Sequence, residues 1–364
     1  MSKACSPVVI RFGRLGDTVM LQPVLRKLYL RYGSPCRLLA LGGWPRILYS
    51  AQPEVGGFIP LKGQYGPLWM HPQRWSAVLA LRHMRAAPFY ICEPELRTRT
   101  KIRPMLALAG IPASHCVFIE DLPVQPDEHW VDWLLRFGDA TPAAFRTSAR
   151  APAPIPLAAP RLHASPAERA ERDTWLQARG WTGQPLVLLQ PTNKRTMRWN
   201  GLRRAEDDDK AWPMDRWIEL ARVIRQRLPQ ARILFCAAPA EQAYLSRLLR
   251  RADAGPAGFG AAALSLGCLK ALMEIAHSMV SVDTGPAHMA AAFGCPLVVM
   301  FGARSPSRWA PRSACGSPVA VVGGRPFVQR VDEVDAAQVA AAWCRIAHCP
   351  VVEAPADARR QRAS

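Results

Sequence analysis

Val8-Val9-Ile10-Arg11-Phe12-Gly13-Arg14-Leu15-Gly16-Asp17 reads as a strand, a tight turn and the start of a helix. Val8 to Ile10 is the apolar run that a strand buried on both faces needs, and Gly13 and Gly16 punctuate the turn. From Asp17 the residues Val19, Met20, Val24, Leu25 and Leu28 recur at helical spacing up to Arg31. Strand, turn and helix in this order open an α/β unit. Short apolar runs at residues 38–41, 77–81 and 117–119 alternate with helical or loop stretches, which predicts further strands of a parallel sheet.

Residues 141–166 are rich in Pro, Ala and Arg, with four prolines in 151–160, a composition that opposes a helix or central strand. A second α/β unit follows. Its expected strands are 186–190, 232–236, 279–282 and 297–301; its expected helices are 214–228, one from Glu241, 269–278 and one from Pro286. The predicted organisation is a Rossmann-like domain over 1–150, a linker and connecting segment over 151–180, a second Rossmann-like domain over 181–348 and a basic tail over 349–364. Two such domains face a central cleft, and ligands of open parallel sheets sit beyond the carboxyl ends of the strands.

The 364 residues suffice for two domains, and a composition 49% hydrophobic and 21% charged excludes disordered and fibrous classes. No apolar run reaches 18 residues and the first twelve lack a basic-then-apolar leader, so a cytoplasmic protein is expected. The ten cysteines are scattered with no C-x-x-C pair and no metal-ligand spacing, which predicts buried, reduced thiols and no metal site. The 47 Lys+Arg against 28 Asp+Glu leave a net charge of +19, enough to attract an anionic partner. Nucleic acid is disfavoured, because no helix-turn-helix, zinc-finger or RNA-binding aromatic signature accompanies the charge.

Three constellations carry possible chemistry. Asp17 opens a helix after a glycine turn, where a carboxylate serves either the helix end or a cleft as general base. Ser281-Val282-Asp283-Thr284-Gly285-Pro286-Ala287-His288 places a strand end against a helix start, whose free N–H groups suit a diphosphate; Pro286 fits the first turn, and the alternative is an ordinary cap with His288 packed on the sheet. Lys210-Ala211-Trp212-Pro213 precedes a helix, and a lysine at a cleft edge can neutralise a leaving phosphate, although most lysines are solvated. Thr192 and Asn193 follow the strand at 186–190, and Glu241 follows a strand end, where it either accepts from ribose hydroxyls or caps a helix.

These residues, with Pro23-Val24-Leu25, Met289-Ala290-Ala291-Ala292, Gly294, Pro296, Phe301-Gly302, Pro306, Trp309 and Pro311, resemble glycosyltransferase family 9, which contains the ADP-heptose:lipopolysaccharide heptosyltransferases. The resemblance runs from about residue 8 to residue 345. It implies a GT-B fold, with the acceptor held by the N-terminal domain and the nucleotide-sugar by the C-terminal one. Asp17 would be the catalytic base, with Lys210 assisting departure of the nucleotide; Thr192 and Lys210 would contact the diphosphate, Glu241 the ribose, Leu264 the adenine and Asp283 the heptose, with Thr284, Gly285 and His288 completing the donor loop. No cofactor is implied.

The stretch from Asn193 to Asp209 is longer than the family pattern, and its Asp207-Asp208-Asp209 triplet is expected to be a solvated acidic loop. Its basic residues Lys194, Arg195, Arg198, Arg203 and Arg204 offer alternative phosphate contacts. On the acceptor side, Gly13, Arg14 and Gly16 border the base, and the basic run from Arg82 to Arg103, above all Arg97, Arg99 and Lys101, suits phosphate or sugar-acid groups or is a solvated face. The expected partners are an ADP-sugar donor, a lipid-linked phosphorylated saccharide acceptor and the anionic inner face of a membrane, met by a monomer. The alternatives are another donor sugar, a protein acceptor, or a basic nucleic-acid or membrane-binding protein.

Overall fold

The computed structural model describes residues 5–61, 72–147, 149–151, 155, 158–198, 201–202, 207–252 and 259–347. Two parallel sheets make up its frame. The first contains β1 (Val8–Arg11), β2 (Cys36–Leu41), β3 (Val55–Leu61), β4 (Phe89–Ile91) and β5 (Cys116–Phe118) in the order β3-β2-β1-β4-β5. The second contains β6 (Leu186–Gln190), β9 (Arg232–Ala237), β10 (Phe259–Ala263), β11 (Ser278–Val282), β12 (Leu297–Phe301) and β13 (Val319–Gly323) in the order β10-β9-β6-β11-β12-β13; the short β7 (Met197–Arg198) and β8 (Gly201–Leu202) form a separate antiparallel pair.

The helices of the first half are α1 (Leu15–Tyr32), α2 (Trp44–Leu48), α3 (Pro72–His83), α4 (Glu95–Arg97), α5 (Arg103–Leu108) and α6 (Trp130–Phe137). Those of the second are α7 (Pro166–Gln177), α8 (Met214–Arg227), α9 (Gln242–Arg251), α10 (Leu266–Ile275), α11 (Gly285–Ala292), α12 (Pro306–Trp309) and α13 (Ala336–Ile346). In each sheet the first strand along the chain lies inside, and later strands are added on both sides of it. The strand order therefore reverses between β1 and β4 and between β6 and β11. Loops leaving the carboxyl ends at such points diverge and leave a crevice. Asp17 follows β1, Thr192 follows β6 and Asp283 follows β11, so the reversal of both sheets places the chemistry.

The central strands are buried at every residue, as parallel strands covered by helices on both faces must be. One apolar cluster runs through both halves, from Val19, Val24 and Leu28 on α1 to Ala287, Met289 and Ala291 on α11. The segment between the halves is tied to both, with Arg161 N–H donating to Gln22 Oε1 at 2.9 Å and Leu162 N–H to the Ala292 carbonyl at 3.0 Å. Residues 152–154 and 156–157 of the expected linker, and the expected tail with Cys349, lie outside the described residues.

The structure corrects four expectations. Residues 77–81 belong to α3, not to a strand: Ala77, Val78 and Leu81 are buried and Leu79 is exposed, the pattern of a helix face. The helix expected at 269–278 is α10, begun three residues earlier because the Ser265 hydroxyl accepts from Cys268 N–H. The acidic triplet is not wholly solvated, since Asp208 is buried and accepts from Asn193 Nδ2 at 2.8 Å while Asp209 pairs with Arg195. Among the nine described cysteines, all free, Cys36, Cys92, Cys236, Cys268 and Cys295 are buried, but Cys5, Cys116, Cys315 and Cys344 are partly exposed. No helix among the described residues is long and apolar enough to cross a membrane.

Candidate active site

The turn after β1 presents Asp17 to the crevice. Asp17 is the third residue of α1, and its Oδ2 accepts from Arg14 N–H at 2.9 Å while Oδ1 accepts from the Arg11 guanidinium at 2.9 Å. The carboxylate thus closes the helix end and still leaves its side chain 27% exposed. The two readings of Asp17 are compatible: an acid that satisfies a helix terminus keeps spare lone pairs for another proton donor. Gly13 keeps this turn open, because a Cβ there would meet the Asp17 Cβ at 2.5 Å.

The facing wall is built on β11 and α11. Lys210 Nζ donates to the Asp283 carbonyl at 2.9 Å and also to its Oδ2, with the two side chains 18% and 10% exposed. Pro286 occupies the first turn of α11, whose leading N–H groups have no partner within the helix. The site therefore carries an ammonium and a helix N-terminus together, a combination that attracts a diphosphate. Behind β6 and β9, Glu241 Oε2 accepts from Thr192 Oγ1 at 2.7 Å and from Ala238 N–H at 2.8 Å. Burial raises the Glu241 carboxyl above its ordinary value, opposed by these two hydrogen bonds.

The two walls meet helix end to helix end. A Cβ on Gly285 would lie 2.8 Å from the Leu15 Cβ and 3.0 Å from Gly16 N; one on Gly16 would lie 3.0 Å from the His288 ring. Glycine at both positions lets α1 and α11 abut. His288 is buried there, and burial lowers its pKa below the ordinary value, with Asp283 and Asp17 opposing the shift and Lys210 assisting it. The ring is accordingly neutral at pH 7.

A cavity of about 680 Å³ opens between the walls. Thr192, Lys210, Glu241, Leu264, Asp283, Thr284, Gly285 and His288 line it from one half; Arg14, Gly16 and Asp17 line it from the other. Gly13, Arg97, Arg99 and Lys101 do not. Arg97 instead donates to Glu93 Oε2 at 2.6 Å and to the Phe12 carbonyl at 3.2 Å; Arg99 is exposed, and Lys101 is half-buried, its pKa lowered by burial and by neighbouring Arg74 and Arg97. Of the alternative phosphate contacts in the 193–209 stretch, Lys194 lines the cavity, Arg195 pairs with Asp209, and Arg203 and Arg204 lie outside the described residues.

Sequence reasoning did not assign Arg304, Trp44 or Met20, which also line the cavity. Arg304 lies over the Trp309 ring, 5.4 Å from its centroid. A cation two residues before a short Pro-initiated helix was the available signal, too weak among many arginines. No group of three or more His, Cys, Asp or Glu residues among those described could hold a metal ion.

Compared with known proteins, the chain matches the model of Glycosyltransferase family 9 (heptosyltransferase) over residues 154–322, a segment that contains Thr192, Lys210, Glu241, Leu264 and the Asp283 to His288 loop. No curated protein matches it. Among solved structures it is similar to E. coli ADP-heptose lps heptosyltransferase II, with a TM-score of 0.68 at 20% identity over 94% of this chain and 98% of that one. A glycosyl transferase family 9 structure from Veillonella parvula gives a TM-score of 0.68 at 14% identity, covering 94% and 97% of the two chains. E. coli heptosyltransferase WaaC with ADP gives 0.60 at 16% identity, covering 92% and 97%. The fold is shared with these proteins and is of GT-B type. The donor-side residues thus lie inside a segment, residues 154–322, that matches glycosyltransferase family 9, with the same fold around them, and the chain is a glycosyltransferase.

Proposed function

We propose that the enzyme transfers a heptose, with inversion, from ADP-L-glycero-D-manno-heptose to the inner core of lipopolysaccharide, without a metal ion. One observation carries this reading: Asp17 at the end of β1, and the Lys210–Asp283 pair beside the start of α11, line one cavity from opposite halves of the molecule. The E. coli structures named for ADP-heptose and holding ADP agree with such a donor.

In this reading the donor diphosphate lies on the N-terminus of α11 and draws Lys210 from Asp283, whose carboxylate turns to the sugar hydroxyls. Leu264 packs against the adenine, and Glu241 accepts from the ribose. Asp17 takes the proton of an acceptor hydroxyl as that oxygen bonds to the anomeric carbon, and the bond from that carbon to the diphosphate oxygen breaks on the opposite face. The negative charge gathered on ADP is met by Lys210 and by the helix N–H groups. The acceptor, a phosphorylated saccharide on a lipid at an anionic inner-membrane face, approaches past Gly13, Arg14 and Gly16, with Arg99 and Lys101 on its anionic groups.

Purified enzyme offered ADP-, UDP- and GDP-sugars, with nucleotide release followed in the presence of a truncated lipopolysaccharide acceptor, tests the reading. ADP release only from the ADP-heptose supports it; release of another nucleotide, or no dependence on acceptor, overturns it. Glu241→Gln is expected to raise the donor KM by about tenfold and leave the acceptor KM in place, because a hydrogen bond to a charged group contributes about 1.5–3 kcal/mol. An unchanged donor KM would remove Glu241 from the ribose. Dialysis against EDTA is expected to leave turnover intact, and loss restored by Mg²⁺ or Mn²⁺ would contradict the metal-free mechanism.

A further inference from the structure

Behind Asp17 lies a chain of alternating charges that the transfer step itself does not use. Glu93, after β4, is fully buried and sits between two arginines, with Arg97 donating to Oε2 at 2.6 Å and Arg11 NH1 3.5 Å from Oε1. Its Oε1 also accepts from Phe12 N–H, and the Thr98 hydroxyl donates to its carbonyl at 3.0 Å. Arg11, itself buried, donates to the Cys92 carbonyl at 2.7 Å and to Asp17 Oδ1 at 2.9 Å, and its guanidinium lies 5.2 Å from the centroid of Trp130. The order is Asp17, Arg11, Glu93, Arg97, minus and plus in turn.

A buried carboxylate is retained at such a place only with its charge and hydrogen bonds met, and meeting them fixes every neighbour in one geometry. Glu93 holds the backbone of the β1 turn through Phe12 and, through Arg11, the direction of the Asp17 carboxylate. We infer that Arg11, Glu93 and Arg97 are positioning residues that orient Asp17 and set the electrostatic field in which it works. For Arg97 this is an alternative to acceptor binding, carried by the donation of its Nη1 to both Glu93 and Phe12. The inference rests on the reading of Asp17 as the base.

The titratable and charged groups facing Asp17 are Arg11 from β1 and the neutral His288 ring from α11, with Asp283 and Lys210 beyond His288. Only the first is altered by the relay. Removing the positive charge with Arg11→Gln makes Asp17 easier to protonate, so the acid limb of the kcat/KM profile moves to higher pH. Removing the negative charge with Glu93→Gln leaves Arg11 less compensated, so the limb moves to lower pH. Opposite displacements cannot come from a merely structural role.

The experiment records kcat, both KM values and the pH profile for the parent, Arg11→Gln, Arg11→Lys, Glu93→Gln, Arg97→Gln and Asp17→Asn, with the folded fraction checked by circular dichroism. Arg11→Gln is expected to lose about a hundredfold in kcat, the scale of a misplaced reacting group. Arg11→Lys restores the position of the limb but only part of the rate. Arg97→Gln, at a position whose side chain is 33% exposed, lowers kcat several-fold with the acceptor KM unchanged. The displacements persist in a His288→Gln background. Limbs that stay in place in the folded Arg11 and Glu93 variants overturn the inference, as does an Arg97→Gln change confined to acceptor KM. Should Glu93→Gln fail to fold, Arg11→Lys against Arg11→Gln still decides it. If Asp17→Asn keeps its turnover, the base assignment fails instead, which separates the two failures.

Discussion

Asp17→Asn is expected to bind the nucleotide-sugar as the parent does and to lose between about 10² and 10⁴ in kcat, the usual worth of a general base. The substitution preserves shape but leaves a single oxygen to accept from either Arg14 N–H or Arg11, so one of the two bonds near 2.9 Å is lost. Arg11 keeps the Cys92 carbonyl and its proximity to Glu93, so its charge is still met and the fold survives. The donor residues stand on the other half of the molecule, attached to β6, β9 and β11, and of them His288, beside Asp17, is the one whose surroundings change. Donor KM should therefore stay within about twofold while turnover collapses, a split that marks an interaction made in the transition state. Measured turnover above a tenth of the parent's in a folded Asp17→Asn protein would remove Asp17 from the chemistry and leave it as a helix-end residue only.

In the second half the inner strands β6, β9, β11 and β12 were legible in the sequence, whereas the edge strands β10 and β13 and the helices α7 and α13 were not, and the first half was read in fragments. Leu186–Gln190 and Leu297–Phe301 are continuous apolar runs closed by Pro or Gly, and such runs are what a strand buried on both faces requires. The strand β3 carries Gly56, Gly57 and Pro60, residues that punctuate chains, and it escaped notice. The strand β4 is three residues long, too short for any period to register. At 77–81 the apolar residues crowd closely enough to imitate a strand, and only the exposure of Leu79 discloses the helix.

The candidate site was legible where local rules leave a signature. A Gly-Pro pair after a strand reports a helix start, and an acid after a glycine turn reports a terminus; both reports survive folding, and Asp17, Lys210 and Asp283 face one cavity although they lie far apart along the chain. Glu93 left no signature, because Cys92-Glu93-Pro94 resembles any polar loop. Its role arises from strands β1 and β4 lying side by side, so that Glu93 falls beside Arg11 and Phe12 across 81 or 82 positions of chain. Pairing between strands is tertiary information, and no window along the sequence contains it. The same holds for Arg97, which read as part of a basic surface and is instead the outer end of the buried relay.

A second buried charge pair has a larger effect on stability than on chemistry. Lys270 on α10 has a side chain with no exposure, and its Nζ donates to both oxygens of Glu168 at 2.9 Å, to the Ile47 carbonyl at 2.6 Å and to Ser50 Oγ at 3.0 Å. Ile47 and Ser50 belong to the first half and Lys270 to the second, so one ammonium joins the halves beside α7. Glu168 also closes the start of α7, accepting from Ser165 N–H at 2.7 Å. Burial alone would raise the Glu168 carboxyl, but the hydrogen bonds from Lys270 and Ser165 and the charge of Lys270 outweigh it and hold the group below its ordinary value. A carboxyl depressed on folding contributes stability above its unfolded pKa and loses it as pH falls through the folded value, so on the acid side the pair weakens below the normal carboxylate range; on the alkaline side its charge is lost where Lys270, its pKa lowered by burial, gives up its proton. Glu168→Ala at pH 7 leaves Lys270 buried with carbonyl and hydroxyl partners but no counter-charge. Breaking a buried pair from one side costs about 3–5 kcal/mol, and the lost cap adds about 1 kcal/mol. Removing both charges with Glu168→Ala and Lys270→Met together should recover much of that loss, since the expense lies in the stranded ammonium and not in the missing attraction. Urea unfolding of the parent, the single variants and the double variant measures each value. A Glu168→Ala cost under about 1 kcal/mol, or a double variant no more stable than the single one, would mean that water reaches Lys270 in the absence of its partner and that the halves are held together by the α1–α11 contact instead.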